Sequence, residues 1–258
     1  MIYYNGKYFK KEIPFKINEG LMYGQGVFET LKVINGYVEF FDLHYERLLE
    51  GCRILNIICD ISKKEIFKEA KYLIKINKIT NGSLKINVLK NKNKADIIIT
   101  TNDKIYTEKM KKTGYEVIFA ESTKFSQNPL NYIKSNNYVI NIIELNRALN
   151  LKKNESIFLN ERNEITEGSI SNIFFVKDSK IYTPKIECGL LNGIIRKILI
   201  SKLNVKEDII KRKDIKDFDY AFLTNSLMRV MPIKRFEEIK YEFDYEYIKW
   251  IEKKIEPK

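Results

Sequence analysis

The sequence predicts an α+β protein made of two layered domains. Three observations carry that expectation. Strand patterns cluster with helix patterns in each half of the chain. A polar stretch ending in proline separates the halves. The 258 residues suffice for one large domain or two small ones.

The elements follow in order. Residues 2–9 read as strands around Asn5-Gly6, and 27–41 as two apolar runs around Asn35-Gly36. An Asn-Gly pair supplies the positive φ angles of a tight hairpin turn. A helix is expected over 42–56, with Asp42 as its N-cap. The next covers 62–76, where Ser62 and Glu65 form a capping-box pattern. Its apolar face is Ile66, Ala70, Leu73 and Ile74. Strands return at 84–89, 96–101 and 115–120. The polar stretch before Pro129 divides the chain into an N-terminal α/β domain (1–121), a linker (122–129) and a C-terminal domain (130–258).

The second half repeats the mixture. A helix is expected over 136–149, with Val139, Ile142, Ile143 and Leu149 buried. Short strands follow at 156–160, 173–176 and 180–183, then a helix at 194–203. A strand at 220–224 and a helix at 245–255 complete the reading.

Composition limits the function classes. Hydrophobic residues make up 44%, and 16 Tyr with 15 Phe supply bulk for a core. The net charge of +12 is spread along the chain without a dense basic run. That pattern argues against nucleic acid and suits an anionic small molecule. Three cysteines without metal spacing point to a reducing, cytoplasmic compartment. No apolar run is long enough for a membrane span. His44 is the single histidine, which excludes a Ser-His-Asp triad unless His44 serves it, and a multi-histidine metal site outright. The Gly24-Gln25-Gly26 turn lacks the third glycine of a dinucleotide loop and precedes a strand.

Several segments remain as carriers of chemistry. They are His44-Tyr45-Glu46-Arg47-Leu48, Tyr132-Ile133-Lys134-Ser135-Asn136-Asn137-Tyr138, Ile165-Thr166-Glu167-Gly168-Ser169-Ile170-Ser171-Asn172, Leu191-Asn192-Gly193-Ile194-Ile195-Arg196 and Leu223-Thr224-Asn225-Ser226-Leu227-Met228-Arg229. Gly193 precedes an apolar-periodic helix, so the Ile194 and Ile195 amides would face an anion with the helix dipole behind them. Read singly, each segment is ordinary: most lysines are solvated, and most turn glutamates are exposed.

In this order and spacing the segments resemble the fold-type IV pyridoxal 5′-phosphate (PLP) enzymes. That family holds D-amino-acid aminotransferases, branched-chain aminotransferases and 4-amino-4-deoxychorismate lyases. The resemblance runs from Tyr23 to Pro232. It implies a two-domain, D-amino-acid aminotransferase-like fold and a homodimer. It also implies that Lys134 is the catalytic residue and carries PLP as a Schiff base. Glu167 would hold the pyridine nitrogen, and Tyr138 the ring oxygen. Arg47, Ser226 and the amides of Ile194 and Ile195 would take the phosphate, with Ser171 a further cofactor contact. If a helix begins near Lys134, Tyr138 shares its face. His44 would act behind these residues. Phe28 falls where the family places an aromatic residue facing the substrate.

Within the family, the residues point to 4-amino-4-deoxychorismate lyase. D-amino-acid aminotransferases carry an Arg-x-His pair on the strand corresponding to 84–92, and this chain has neither residue there. Lys134-Ser135-Asn136-Asn137-Tyr138 and Thr224-Asn225-Ser226-Leu227-Met228 resemble the lyase form. Arg229 departs from it, because lyases often have a small residue at that place; a substrate carboxylate is a candidate partner for Arg229. The alternatives are a branched-chain or D-amino-acid aminotransferase, and a basic binding protein that has lost catalysis.

Overall fold

The structure is a computed structural model and describes residues 1–92 and 94–256. The chain forms two units by contact: Met1–Ile105 with Ile133–Asn137, and Tyr106–Tyr132 with Tyr138–Lys258.

Two Asn-Gly turns set the layout of the first unit. Asn5 and Gly6 take φ of 45° and 84°, and Asn35 and Gly36 take 51° and 78°. Positive φ at both central residues matches the right-handed twist of the flanking strands. They join β1 (Ile2–Tyr4) to β2 (Lys7–Phe9) and, beyond the short helix α1 (Glu19–Tyr23), β3 (Gly26–Ile34) to β4 (Tyr37–Val38). Helices α2 (Phe41–Ile54) and α3 (Lys63–Ile76) precede β5 (Gly82–Asn91) and β6 (Lys94–Asn102). The antiparallel sheet has the order β2-β1-β6-β5-β3-β4.

Alternation along β3 and β5 gives Leu31, Val33, Leu84, Ile86 and Val88 to one core with Leu48, Cys52 and the expected α3 face of Ile66, Ala70, Leu73 and Ile74. The Ser62–Glu65 capping box forms with both of its bonds. Helix α2 starts differently from the sequence expectation. Its cap position is Phe40, at φ 51° and without a side-chain bond. Asp42 lies inside the first turn, where its charge meets the positive helix end.

The second unit holds α4 (Glu108–Thr113), β7 (Tyr115–Lys124), α5 (Val139–Asn150), β8 (Glu155–Asn160), β9 (Ile165–Gly168), β10 (Asn172–Lys177) and β11 (Lys180–Pro184). It continues through α6 (Ile194–Lys202), β12 (Val205–Asp208), β13 (Tyr220–Asn225), β14 (Arg229–Phe236), β15 (Ile239–Lys240) and α7 (Tyr245–Ile255). The sheet order is β12-β11-β10-β13-β14-β7-β8-β9, with β15 on β14. Pairs β7·β8, β7·β14 and β11·β12 are parallel. Residues 122–124, at the head of the stretch expected as a linker, belong to β7, and Lys124 and Ser126 are buried.

Helix α5 overturns one expectation. Val139, Ile142, Ile143 and Leu149 are on its exposed side, with Val139 at 65% and Ile143 at 53%. The buried side is Asn141, Glu144 and Ala148. The polar groups turn inward because partners wait there. The Glu144 carboxylate accepts the Ser122 amide at 2.8 Å and the Ser122 hydroxyl at 2.6 Å. Asn141 Nδ2 donates to the Ser169 carbonyl at 2.8 Å. Glu164 is buried likewise and accepts Asn160 Nδ2 at 2.7 Å and Arg162 Nε at 3.0 Å.

Leu73 is fully buried among α3, α2 and the sheet. Leu73→Ala is expected to cost about 2–5 kcal/mol, read as a lower urea midpoint with an unchanged slope.

Candidate active site

In the first unit the site begins with a strand-like docking. Residues 133–137 run beside the start of β3, bridged antiparallel at Val27 and Ser135. The Phe28 amide donates to the Lys134 carbonyl, and the Asn136 amide to the Gly26 carbonyl, both at 2.9 Å. Gly24 and Gly26 make room for this segment. Gly24 ends α1 at φ 66°, and Asn137 Nδ2 donates to its carbonyl at 2.9 Å. A Cβ at Gly26 would stand 2.6 Å from Asn136 Nδ2 and 3.0 Å from the Val88 carbonyl oxygen. The glycine pair therefore serves a close backbone approach rather than a nucleotide.

Lys134 is thus fixed by extended pairing, not by a helix. Helix α5 starts at Val139, so Lys134 and Tyr138 do not share a helical face as expected. The Lys134 ammonium lies 4.5 Å from the Phe28 ring centroid, and Lys85 Nζ lies at the same distance from that ring. Burial pushes the Lys85 amine below its ordinary pKa.

Arg47 reaches Glu29 with two bonds, Nε to Oε1 and Nη2 to Oε2, each 2.7 Å. His44, one turn earlier on α2, places Nδ1 2.6 Å from Glu29 Oε2. Burial opposes charge on Glu29, yet Arg47 and His44 together hold its carboxyl at about 2. Burial lowers the His44 pKa, and with its proton on Nδ1 the ring donates a hydrogen bond to the carboxylate. The sequence placed Arg47 and His44 here but did not single out Glu29, which orients both.

In the second unit Glu167 closes β9 and is buried. Lys124 Nζ lies 2.6 Å from its Oε1, and the Leu191 amide donates to Oε2 at 3.2 Å. Asn172 Nδ2 is 3.4 Å from Oε2 and also donates to the Leu191 carbonyl at 2.8 Å. Every one of these partners is a donor, so both carboxyl oxygens serve as acceptors. That is the arrangement that receives a proton-bearing ring nitrogen. Lys124 had no signal in the sequence beyond being one lysine among many.

Ser171 and Tyr138 have other partners than the cofactor contacts the resemblance assigned. Ser171 Oγ donates to Glu155 Oε2 at 3.0 Å. The Tyr138 hydroxyl donates to the Ser169 carbonyl at 2.9 Å, so serving a cofactor ring oxygen requires exchanging that bond.

The phosphate expectation meets a suitable cradle. Gly193 is the cap position of α6 and has no side-chain cap, and Ile194 and Ile195 are buried behind it. A Cβ at Gly193 would fall 2.1 Å from Asn172 Oδ1, so the approach demands glycine. Asn172 pairs in register with Thr224, whose buried Oγ1 has no hydrogen-bond partner among the described residues. Helix-end amides and an orphaned hydroxyl are what a phosphate needs. The turn carrying Ser226 is set by Asn225, whose Oδ1 accepts the Leu227 amide at 3.0 Å and the Met228 amide at 2.8 Å. Arg229 follows at φ 59°. A side chain in that left-handed region costs about 1–2 kcal/mol, which explains why a small residue suits the place.

A model of the family described as amino-transferase class IV matches residues 26–236. An aminodeoxychorismate lyase from Bacillus subtilis (strain 168) is 30% identical, over 93% of this chain and 88% of the relative. A D-alanine aminotransferase from Bacillus licheniformis is 26% identical, over 90% of this chain and 87% of the relative. Among solved structures, a Legionella pneumophila protein titled as a candidate 4-amino-4-deoxychorismate lyase superimposes with a TM-score of 0.88 at 27% identity, covering 95% of this chain and 96% of that one.

Lys124→Met is expected to leave the Glu167 charge buried without its ion partner. The loss should be about 3 kcal/mol in chemical denaturation, and the double variant Lys124→Met/Glu167→Gln should recover much of it.

Proposed function

This chain belongs to the class IV aminotransferases, a PLP-dependent family, and on that basis we propose that it is a 4-amino-4-deoxychorismate lyase releasing 4-aminobenzoate and pyruvate. Full-length likeness extends to both lyases and transaminases, so strand β5 carries the choice. Where a D-amino-acid aminotransferase shows Arg-x-His, β5 pairs Lys85 with Thr30 and Asn87 with Phe28. Neither guanidinium nor imidazole is offered to an amino-acid carboxylate. Lys85, beside the Phe28 ring, is the cation this strand presents to a carboxylate of an anionic substrate.

PLP, when bound, withdraws electrons from the substrate carbon that bears the amine. The residues of this chain do the rest. Lys134 is the residue that would hold the cofactor, and its amine is the base beside the substrate. That amine removes the proton from the amine-bearing ring carbon. The carbon–oxygen bond to the enolpyruvyl group breaks as the ring becomes aromatic. The Lys134 ammonium returns the proton to the departing group, which leaves as pyruvate. Glu167 would accept a hydrogen bond from the pyridine nitrogen, with Lys124 as its ion partner. The Gly193–Ile195 amides, Thr224 Oγ1, Ser226 and Arg47 bind the phosphate. Tyr138 serves the ring oxygen and Ser171 supports the cofactor. Phe28 faces the substrate, and Arg229 is a second cation for its carboxylates.

A homodimer accompanies this reading. The apolar outer side of α5, with Val139, Ile140, Ile142, Ile143, Leu149 and Leu151 exposed on the single chain, supports a covering partner of the same sequence. A cytoplasmic setting is supported by three free cysteines. No helix among the described residues is long and apolar enough to cross a membrane. The second reading is a transaminase, favoured by the D-alanine aminotransferase likeness; it would need a 2-oxo acid as amino acceptor.

PLP-loaded protein given aminodeoxychorismate and no 2-oxo acid should form 4-aminobenzoate and pyruvate in equal amounts over many turnovers. Lys134→Ala should abolish that turnover. Conversion of the bound cofactor to its amine form by leucine or D-alanine, with no 4-aminobenzoate formed, would replace the lyase by the transaminase.

A further inference from the structure

Glu155, at the start of β8, takes no part in the chemistry above. It is 1% exposed and has no cationic partner among the hydrogen bonds and ion pairs of its carboxyl. Instead Oε1 accepts the Ser156 amide at 3.1 Å and the Ser169 amide at 3.0 Å. Oε2 accepts the Ile170 amide at 3.3 Å and the Ser171 hydroxyl at 3.0 Å. Three of these donors belong to the tight turn between β9 and β10, closed by the Gly168 amide on the Ser171 carbonyl at 2.7 Å. A Cβ at Gly168 would stand 3.2 Å from the Glu155 side chain, so turn and carboxyl are in contact.

The outer carbonyls of the same turn hold three other parts of the unit. Ser169 O accepts from the Tyr138 hydroxyl and from Asn141 Nδ2. Ile170 O accepts from Asn225 Nδ2 at 3.2 Å, and Asn225 sets the turn that carries Ser226. Glu167 precedes the turn directly, and Asn172 follows it. Tyr138, Glu167, Asn172 and the 225–228 turn therefore share one anchor.

We propose that Glu155 is a positioning residue whose ionised carboxylate clamps the 168–171 turn and thereby sets the cofactor-facing groups of the second unit. The effect on cofactor binding rests on the PLP reading above; the clamp itself does not.

The clamp depends on charge state. A carboxylate accepts at both oxygens, whereas a carboxylic acid turns one oxygen into a donor and loses a partner. Burial raises the Glu155 pKa to about 7, against the bonds from Ser171, Ser169 and the neighbouring amides that lower it. Tyr106 faces it from the segment before α4 and Tyr115 from the start of β7. Burial raises both phenols above their ordinary value, so both stay neutral in this range. The folded state binds this proton more tightly than the unfolded chain does. Stability gained from it is full below the ordinary carboxylate value of 4.5 and is lost as pH rises to about 7. Fold and clamp thus have opposite pH preferences.

Glu155→Gln fixes the protonated pattern at every pH. Pyridoxamine 5′-phosphate is the probe, since it forms no bond to Lys134. By calorimetry the variant should bind it roughly tenfold more weakly than wild type near pH 8.5, and the two should converge near pH 6. The variant should melt no lower than wild type near pH 8.5, which separates positioning from simple loss of fold. A binding ratio that is the same at both pH values, or equal affinity near pH 8.5, would overturn the proposal. Amide exchange at Ser169 and Ile170 in cofactor-free protein gives a reading independent of the ligand. Faster exchange in the variant near pH 8.5 supports the clamp, and equal exchange overturns it. Wild type that fails to bind the probe would count against the PLP reading, while the exchange result still decides the clamp.

Discussion

Buried carboxylates must be met by donors, and that constraint arranges both units of this protein. An ionised carboxyl taken out of water costs several kcal/mol unless hydrogen bonds and cations replace its hydration. Glu29 is met by Arg47 and His44, Glu167 by Lys124 and the Leu191 amide, and Glu155 by the turn after β9. Glu144 is met by Ser122 and Arg147. Two of these requirements orient a residue that the proposed chemistry would use. The Glu29 pair fixes Arg47, and the Lys124 pair fixes Glu167. The four solutions differ in cost. Glu29 and Glu167 are stabilised by opposite charge, whereas Glu155 has only dipolar donors among the described residues, and burial raises its pKa to about 7.

Placement of Lys134 follows from a second constraint, the geometry of an extended segment lying on a strand. Backbone bonds to Gly26 and Phe28 fix residues 134–136 without help from their side chains. The Lys134 backbone is held by these bonds while its amine lies against the Phe28 ring, a division of roles that the proposed cofactor attachment would use. Gly24 and Gly26 are the local condition for this docking, which ties a turn that looked uninformative to Lys134.

Much of the fold was legible because hairpin turns and caps have local causes. Asn5-Gly6, Asn35-Gly36, the Ser62–Glu65 box and the terminal helix appear as the residues dictate. The α5 face was not legible. Periodicity marks two sides of a helix but does not say which is covered, and here bonded Asn141 and Glu144 take the inside. Strand β14 contains Pro232, a residue that weakens a strand signal, and β9 is only four residues long. In the candidate site, the sequence singled out the ordered segments around Lys134, Glu167 and Gly193. Glu29, Lys124 and Glu155, which orient Arg47, Glu167 and the 168–171 turn, were not, because each lies outside the segment it orients and is identical in type to many surface residues. A short motif records which groups do chemistry; the groups that orient them are selected by three-dimensional packing.

The central claim is that Lys134 is the point of cofactor attachment. Borohydride reduction of the PLP-loaded protein, followed by peptide mapping, tests it most directly. The account predicts one stable pyridoxyl group per chain, on the peptide containing Lys134. Attachment at another lysine, or none with the cofactor demonstrably bound, would contradict it.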